Sequence, residues 1–216
     1  MRIVFVRHGE PDYEKDCLTD LGHIQAEAVG KRLSSENISK LYSSTMGRAR
    51  ETAEHIAAEL GISHDDITAL DSMREIEWDF EGPWEVATKA VSAQKSIMDG
   101  SRATDGIYSK DKICGFLLKR GEDFDSLLTS HGFAREGLYY RVTAENDETI
   151  LLASHAGTST AILSHLFNLP APFVFDAIRP HFTAVTIVML NGQHGELISP
   201  RFEIANDSRH IKGIGL

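Results

Sequence analysis

Hydrophobic and polar positions along the chain alternate between short apolar runs and longer segments with helical periodicity. Arg2 to Val6 (RIVFV) is a β-branched and aromatic run that ends at Gly9, and it predicts a buried strand. Thr19 and Asp20 precede a helical segment reaching about Leu33, with apolar positions at Leu21, Ile24, Ala28 and Leu33. Lys40 to Thr45 predicts a second strand, and Gly47 to Leu60 a helix closed by Gly61. Ile150 to Ser154 reads as a further buried strand, followed by a helix over Thr158 to Phe167. Val185–Leu190 and Glu196–Phe202 predict a hairpin turning at Asn191-Gly192. Strands alternating with helices imply an α/β fold, a three-layer α/β/α sandwich with a mostly parallel sheet.

The alternation lapses between about residues 81 and 148. Amphipathic pieces near Val86–Met98 and Phe124–Val142, without any Gly/Ser or Pro-rich tract, predict a helical insertion (a cap) in a single domain spanning residues 1–216. Cys17 and Cys114 have no spacing that suggests a disulfide framework or a zinc ribbon, and two unlinked cysteines suit reduced thiols in the cytoplasm. The opening MRIVFVRHGE is too short an apolar run for a signal peptide, and no stretch reaches the length of a membrane helix. The net charge of −10 argues against a nucleic-acid partner, whose phosphates call for a basic surface. It leaves room for a small anionic substrate, because a few arginines can invert the field locally. Nothing in the pattern specifies an oligomeric state.

Three segments start where predicted strands end: Arg7-His8-Gly9, Ser43-Ser44 with Arg48, and Ser154-His155-Ala156-Gly157. Ligands of open α/β sheets bind outside the carboxyl ends of the strands, so these segments can converge. Two arginines and two histidines grouped there suit a phosphoryl group, since guanidinium forks match its oxygens and imidazole can attack, donate or protonate. The other histidines lack ligand-like spacing, and no metal site is expected. His181 lies ahead of the Val185 strand, where it could reach the pocket rim, but it is not counted among the site residues.

These residues carry a resemblance. The R-H-G triplet behind the first strand resembles the histidine phosphatase superfamily, the group that includes cofactor-dependent phosphoglycerate mutases. Leu18-Thr19, Gly22, Gln25-Ala26, Ser43-Ser44, Arg48-Ala49, Glu51-Thr52-Ala53, Arg74-Glu75 and Ser154-His155-Ala156-Gly157 follow in the order of that family. The resemblance implies that His8 attacks phosphorus and becomes phosphorylated. It implies that Arg7, Arg48 and His155 bind the phosphoryl oxygens, that Gly9 and Ala156 also bind substrate, and that Glu75 is the general acid. Glu77 is a rival for that last role, because the glycine and the Trp-Glu run that follow the acid in the family come late here, at Gly82 and Trp84-Glu85. The implied reaction is hydrolysis of small phosphomonoesters, with no metal and no organic cofactor. Two alternatives stand beside it: phosphoryl transfer like that of phosphoglycerate mutases, and binding of phosphorylated ligands or partners without turnover. Glu10-Pro11 departs from the small hydroxyl residue and asparagine usual in the mutases, which weighs against the first alternative.

Overall fold

The computed structural model describes residues 1–76 and 111–214. Its central sheet has six strands: β1 (Arg2–Arg7), β4 (Lys40–Ser44), β5 (Ile67–Leu70), β8 (Thr149–Ser154), β9 (Val185–Met189) and β11 (Arg201–Asp207), in the order β11-β9-β1-β8-β4-β5. β1, β8, β4 and β5 are mutually parallel, whereas β9 runs antiparallel to both β1 and β11. Small two-stranded pairings complete the strands: β2 (Pro11–Asp12) with β3 (Cys17–Leu18), and β6 (Phe133–Glu136) with β7 (Tyr139–Val142), to which β10 (Leu197–Ile198) adds.

A strand buried on both faces needs apolar residues at every position. β1 supplies them: Ile3 and Phe5 face one layer, with Phe124, Leu128, Ile162 and Leu166, while Val4 and Val6 face the other, with Val29, Leu33, Ile56 and Ala57. The first layer holds α3 (Asp111–Ser130), α4 (Ala156–Phe167) and the short α5 (Ala171–Ala177). The second holds α1 (Asp20–Leu33) and α2 (Gly47–Leu60). The expected three-layer α/β/α sandwich is therefore observed.

Three local expectations are corrected. The buried stripe of α1 is Gly22, Gln25, Ala26, Val29, Gly30 and Leu33, and Ile24 is 52% exposed, so the helix is rotated from the predicted apolar face. The predicted helical piece Phe124–Val142 ends at Ser130, where Gly132 takes φ +91° and the chain turns into the β6–β7 hairpin. The predicted antiparallel pairing of β9 forms, but its partner is shifted toward the C-terminus: β9 pairs with Arg201–Asp207, so only Arg201 and Phe202 of the predicted 196–202 strand take part, and no tight turn forms at Asn191-Gly192. The intervening chain is captured by β7, through Gly195 N–H to the Val142 carbonyl at 2.7 Å and Val142 N–H to the Glu196 carbonyl at 2.9 Å. The predicted piece Val86–Met98, and Glu77, Gly82 and Trp84-Glu85, lie outside the described residues. Among the described residues no helix is long and apolar enough to cross a membrane.

Candidate active site

Strand register brings the three motif segments together. Arg7 pairs with Ser154 across β1 and β8, and Ser43 with Ala153 across β4 and β8, so these strands end flush. His8 follows β1 directly, His155 follows β8, and Arg48 is the second residue of α2 behind β4. The His8 and His155 rings lie edge to face with centroids 5.1 Å apart.

The hydrogen bonds of His8 fix its tautomer. Arg48 Nε–H donates to His8 Nε2 at 3.3 Å, and a guanidinium cannot accept, so Nε2 carries no proton. Nδ1–H donates to the Gly9 carbonyl at 2.7 Å. Burial, reinforced by the charges of Arg7 and Arg48, pushes the imidazole down to about 3 from its ordinary 6.5. His8 is thus a neutral ring with a bare, cation-flanked Nε2, the form a nucleophile requires.

The arginines are held from behind. Arg48 is 5% exposed and sits on the buried stripe of α2, where an isolated arginine would be costly. Asp16 answers that cost, accepting from Arg48 Nη1 with one oxygen and from the Gly47 N–H at 2.8 Å with the other. The Tyr13 ring centre lies 5.4 Å from the Arg48 guanidinium carbon. Arg7 Nη1 donates to the Pro180 carbonyl at 2.8 Å, and its guanidinium lies 4.1 Å over the Phe182 ring. Beside Arg7 opens a cleft of about 270 Å³, walled by Gln25, Arg179, Pro180, His181, Phe182 and Ile211.

Glu75 lies at the N-terminus of α4. Its Oε1 accepts from the N–H groups of Ile76 at 2.9 Å and Thr158 at 3.0 Å, and its Oε2 from Gly157 N–H at 3.2 Å. A carboxylate at the positive end of a helix is favourable. Burial nevertheless raises its pKa, against the lowering effect of those backbone bonds and of Arg7. Any side chain at residue 157 would meet Glu75 Oε1 at 2.6 Å, so Gly157 admits the carboxylate.

His155 Nε2 lies 2.9 Å from Ser44 Oγ, and burial followed by the charges of its neighbours lowers its pKa well below the histidine range. The Gly9 N–H donates to Thr52 Oγ1 at 3.1 Å. Its lack of a side chain matters as well: a Cβ would come within 2.5 Å of the Gly22 carbonyl, and one on Gly22 within 2.1 Å of the Glu10 carbonyl. Ala156 is the first residue of α4, directly behind His155. Glu77 cannot be compared with Glu75, because it falls outside the described residues. Asp16, Tyr13 and Phe182 were not anticipated, since they come from loops without a motif. Among the described residues no group of three or more histidines, cysteines or carboxylates is arranged to hold a metal ion.

A flush row of strand ends thus gathers an Arg-His pair, a second arginine and a second histidine, and the family comparison places the chain among known proteins. The chain belongs to the histidine phosphatase superfamily (branch 1), whose profile matches residues 3–201. It is 32% identical over 179 residues to "Phosphoglycerate mutase-like protein 4" of Arabidopsis thaliana, covering 70% of this chain and 76% of that one. It is 30% identical over 230 aligned positions to "Probable phosphoglycerate mutase GpmB" of Proteus mirabilis, covering 100% and 97%. Among solved structures, the mycobacterial glucosyl-3-phosphoglycerate phosphatase superposes with a TM-score of 0.67 at 21% identity, over 96% of this chain and 99% of that one. At that identity the likeness is one of fold.

Proposed function

We propose that this protein hydrolyses phosphomonoesters of small molecules through a covalent phosphohistidine at His8. The observation that carries the reading is the buried, neutral His8 whose unprotonated Nε2 faces the Arg48 guanidinium. In the first step Nε2 attacks phosphorus and the bond to the substrate oxygen breaks. Arg7, Arg48 and His155 hold the charge on the remaining phosphoryl oxygens. Glu75 in its acid form passes a proton to the departing alkoxide, and burial favours that form. In the second step Glu75, now a carboxylate, takes a proton from water as the water oxygen attacks phosphorus. The P–N bond breaks, returning neutral His8 and releasing inorganic phosphate. The two arginines supply the positive charge and the neutral His155 a hydrogen-bond donor, so these steps need no metal or cofactor.

The names of the Arabidopsis and Proteus relatives favour a second reading, in which the phosphoryl group returns to another hydroxyl of the product instead of going to water. Release of phosphate measured against isomer formation on phosphoglycerates separates the two. The mechanism common to both is tested by labelling. Substrate should leave an acid-labile, alkali-stable phosphoryl group on the protein, in the presence of chelator, and none on His8→Ala. Label persisting in that variant, or activity abolished by chelator and restored by a divalent ion, overturns the reading.

A further inference from the structure

We infer that Ser44 is a positioning residue that sets the tautomer of His155, so that this imidazole offers an Nδ1–H to a phosphoryl oxygen; the inference rests on the function proposed above. Ser44 is the last residue of β4 and is fully buried, as is His155. Its hydroxyl has two contacts outside its own backbone: the Met46 N–H at 3.2 Å and His155 Nε2 at 2.9 Å. The direction of the first is fixed, because a backbone N–H only donates. Ser44 Oγ therefore accepts from Met46 and keeps one proton to give. The imidazole nitrogen is the acceptor within reach, so Ser44 O–H donates to Nε2.

A neutral imidazole carries one proton. With Nε2 accepting, that proton is on Nδ1, and the burial that lowers the His155 pKa keeps the ring neutral at ordinary pH. Nδ1 is itself buried and finds no acceptor among the described groups of the protein. A buried donor left without an acceptor is costly. This one belongs to a ring 5.1 Å from that of His8, in the field of Arg7 and Arg48, where an anionic oxygen bound at His8 would accept from it. The opposite tautomer would aim a lone pair at that oxygen and leave the Ser44 proton without a partner. His8 and His155 thus hold opposite roles: the first is fixed with a bare nitrogen to attack, the second with a proton to bind.

The test begins with the tautomer. In wild-type protein with ¹⁵N-labelled histidine, His155 should show a protonated Nδ1 and an unprotonated Nε2 without any ligand. A proton found on Nε2 overturns the inference whatever the fate of any variant. Ser44→Ala should lower kcat tenfold or more and weaken the binding of inorganic phosphate by a similar factor, and Ser44→Thr, which keeps the hydroxyl, should recover most of both. Wild-type turnover and phosphate affinity in a folded Ser44→Ala would also overturn it. Failure of the phosphohistidine mechanism would show instead as label on His8→Ala, with the His155 tautomer unaffected.

Discussion

Asp16 binds Arg48 through one carboxylate oxygen and the Gly47 N–H through the other, so one loop residue fixes both the guanidinium and the helix end that carries it. Because Arg48 in turn donates to His8 Nε2, the placement of the proposed nucleophile depends on this loop. Misplacing a reacting group by an ångström can cost about a hundredfold in rate. Asp16→Ala is expected to lower kcat/KM by about ten- to a hundredfold and to lose about 1 kcal/mol of stability with the helix-end contact. Steady-state kinetics and urea denaturation on the same preparation check both. Unchanged kinetics would mean that packing alone holds Arg48.

Glu75 is expected to reveal itself through the leaving group. An alkoxide must be protonated as it departs, whereas nitrophenolate leaves unaided. Glu75→Gln should therefore slow turnover of alkyl phosphates by about a hundredfold or more, and that of nitrophenyl phosphate far less. Glutamine keeps one carbonyl oxygen, which can accept from the Ile76 and Thr158 N–H groups as Oε1 does, and gives up the longer bond from Gly157, so the N-terminus of α4 should stay folded. Burial raises the Glu75 pKa, which holds the acid form to higher pH; the alkaline fall in alkyl-phosphate turnover should disappear in the variant. Glu77→Gln is expected to behave like wild type, and the reverse pattern would transfer the acid role to Glu77.

Acid should destabilise the fold through His8. In the folded chain its imidazole titrates at about 3, while in the unfolded chain it takes up a proton near 6.5. Between those values the unfolded state binds the extra proton, so stability falls as pH drops from about 6.5 toward 3 and is fully present above that range. His155 acts in the same direction. Urea midpoints measured from pH 7.5 down to 4 should fall less steeply in His8→Asn than in wild type. Equal slopes would mean that His8 is protonated in the native state.

The proposed site was legible because His8 and His155 each follow directly on a strand whose apolar run is unmistakable, Arg7 closes the first of those strands and Arg48 opens the helix behind β4, and the topology of parallel strands does the gathering. Arg7 and Ser154 needed only the register of β1 against β8 to come side by side. What escaped reading depends on partners distant in sequence. An apolar run such as Val185–Met189 is the same whether its neighbour runs parallel or antiparallel, and only the long excursion over 190–200 decides that β11, not the nearer segment, pairs with it. Phe133 to Val142 carries enough apolar residues to fit a helix, and the left-handed turn at Gly132 redirects them into a hairpin. Residues Asp16 and Phe182 act by bracing Arg48 and Arg7 from loops that have no periodicity at all. A brace of that kind has no signature beyond its charge or its ring.

The mutual approach of Gly9 and Gly22 constrains how this site can change over time. Most steric conflicts in a protein can be relieved by a second substitution that shrinks the opposing side chain. Here each missing Cβ would strike a backbone carbonyl, that of Gly22 in one case and that of Glu10 in the other. A main-chain oxygen cannot be made smaller by any substitution. Drift at residues 9 and 22 therefore has no compensating partner elsewhere in the chain, and the segment carrying His8 stays pinned to the first turns of α1 however freely the rest of that helix varies.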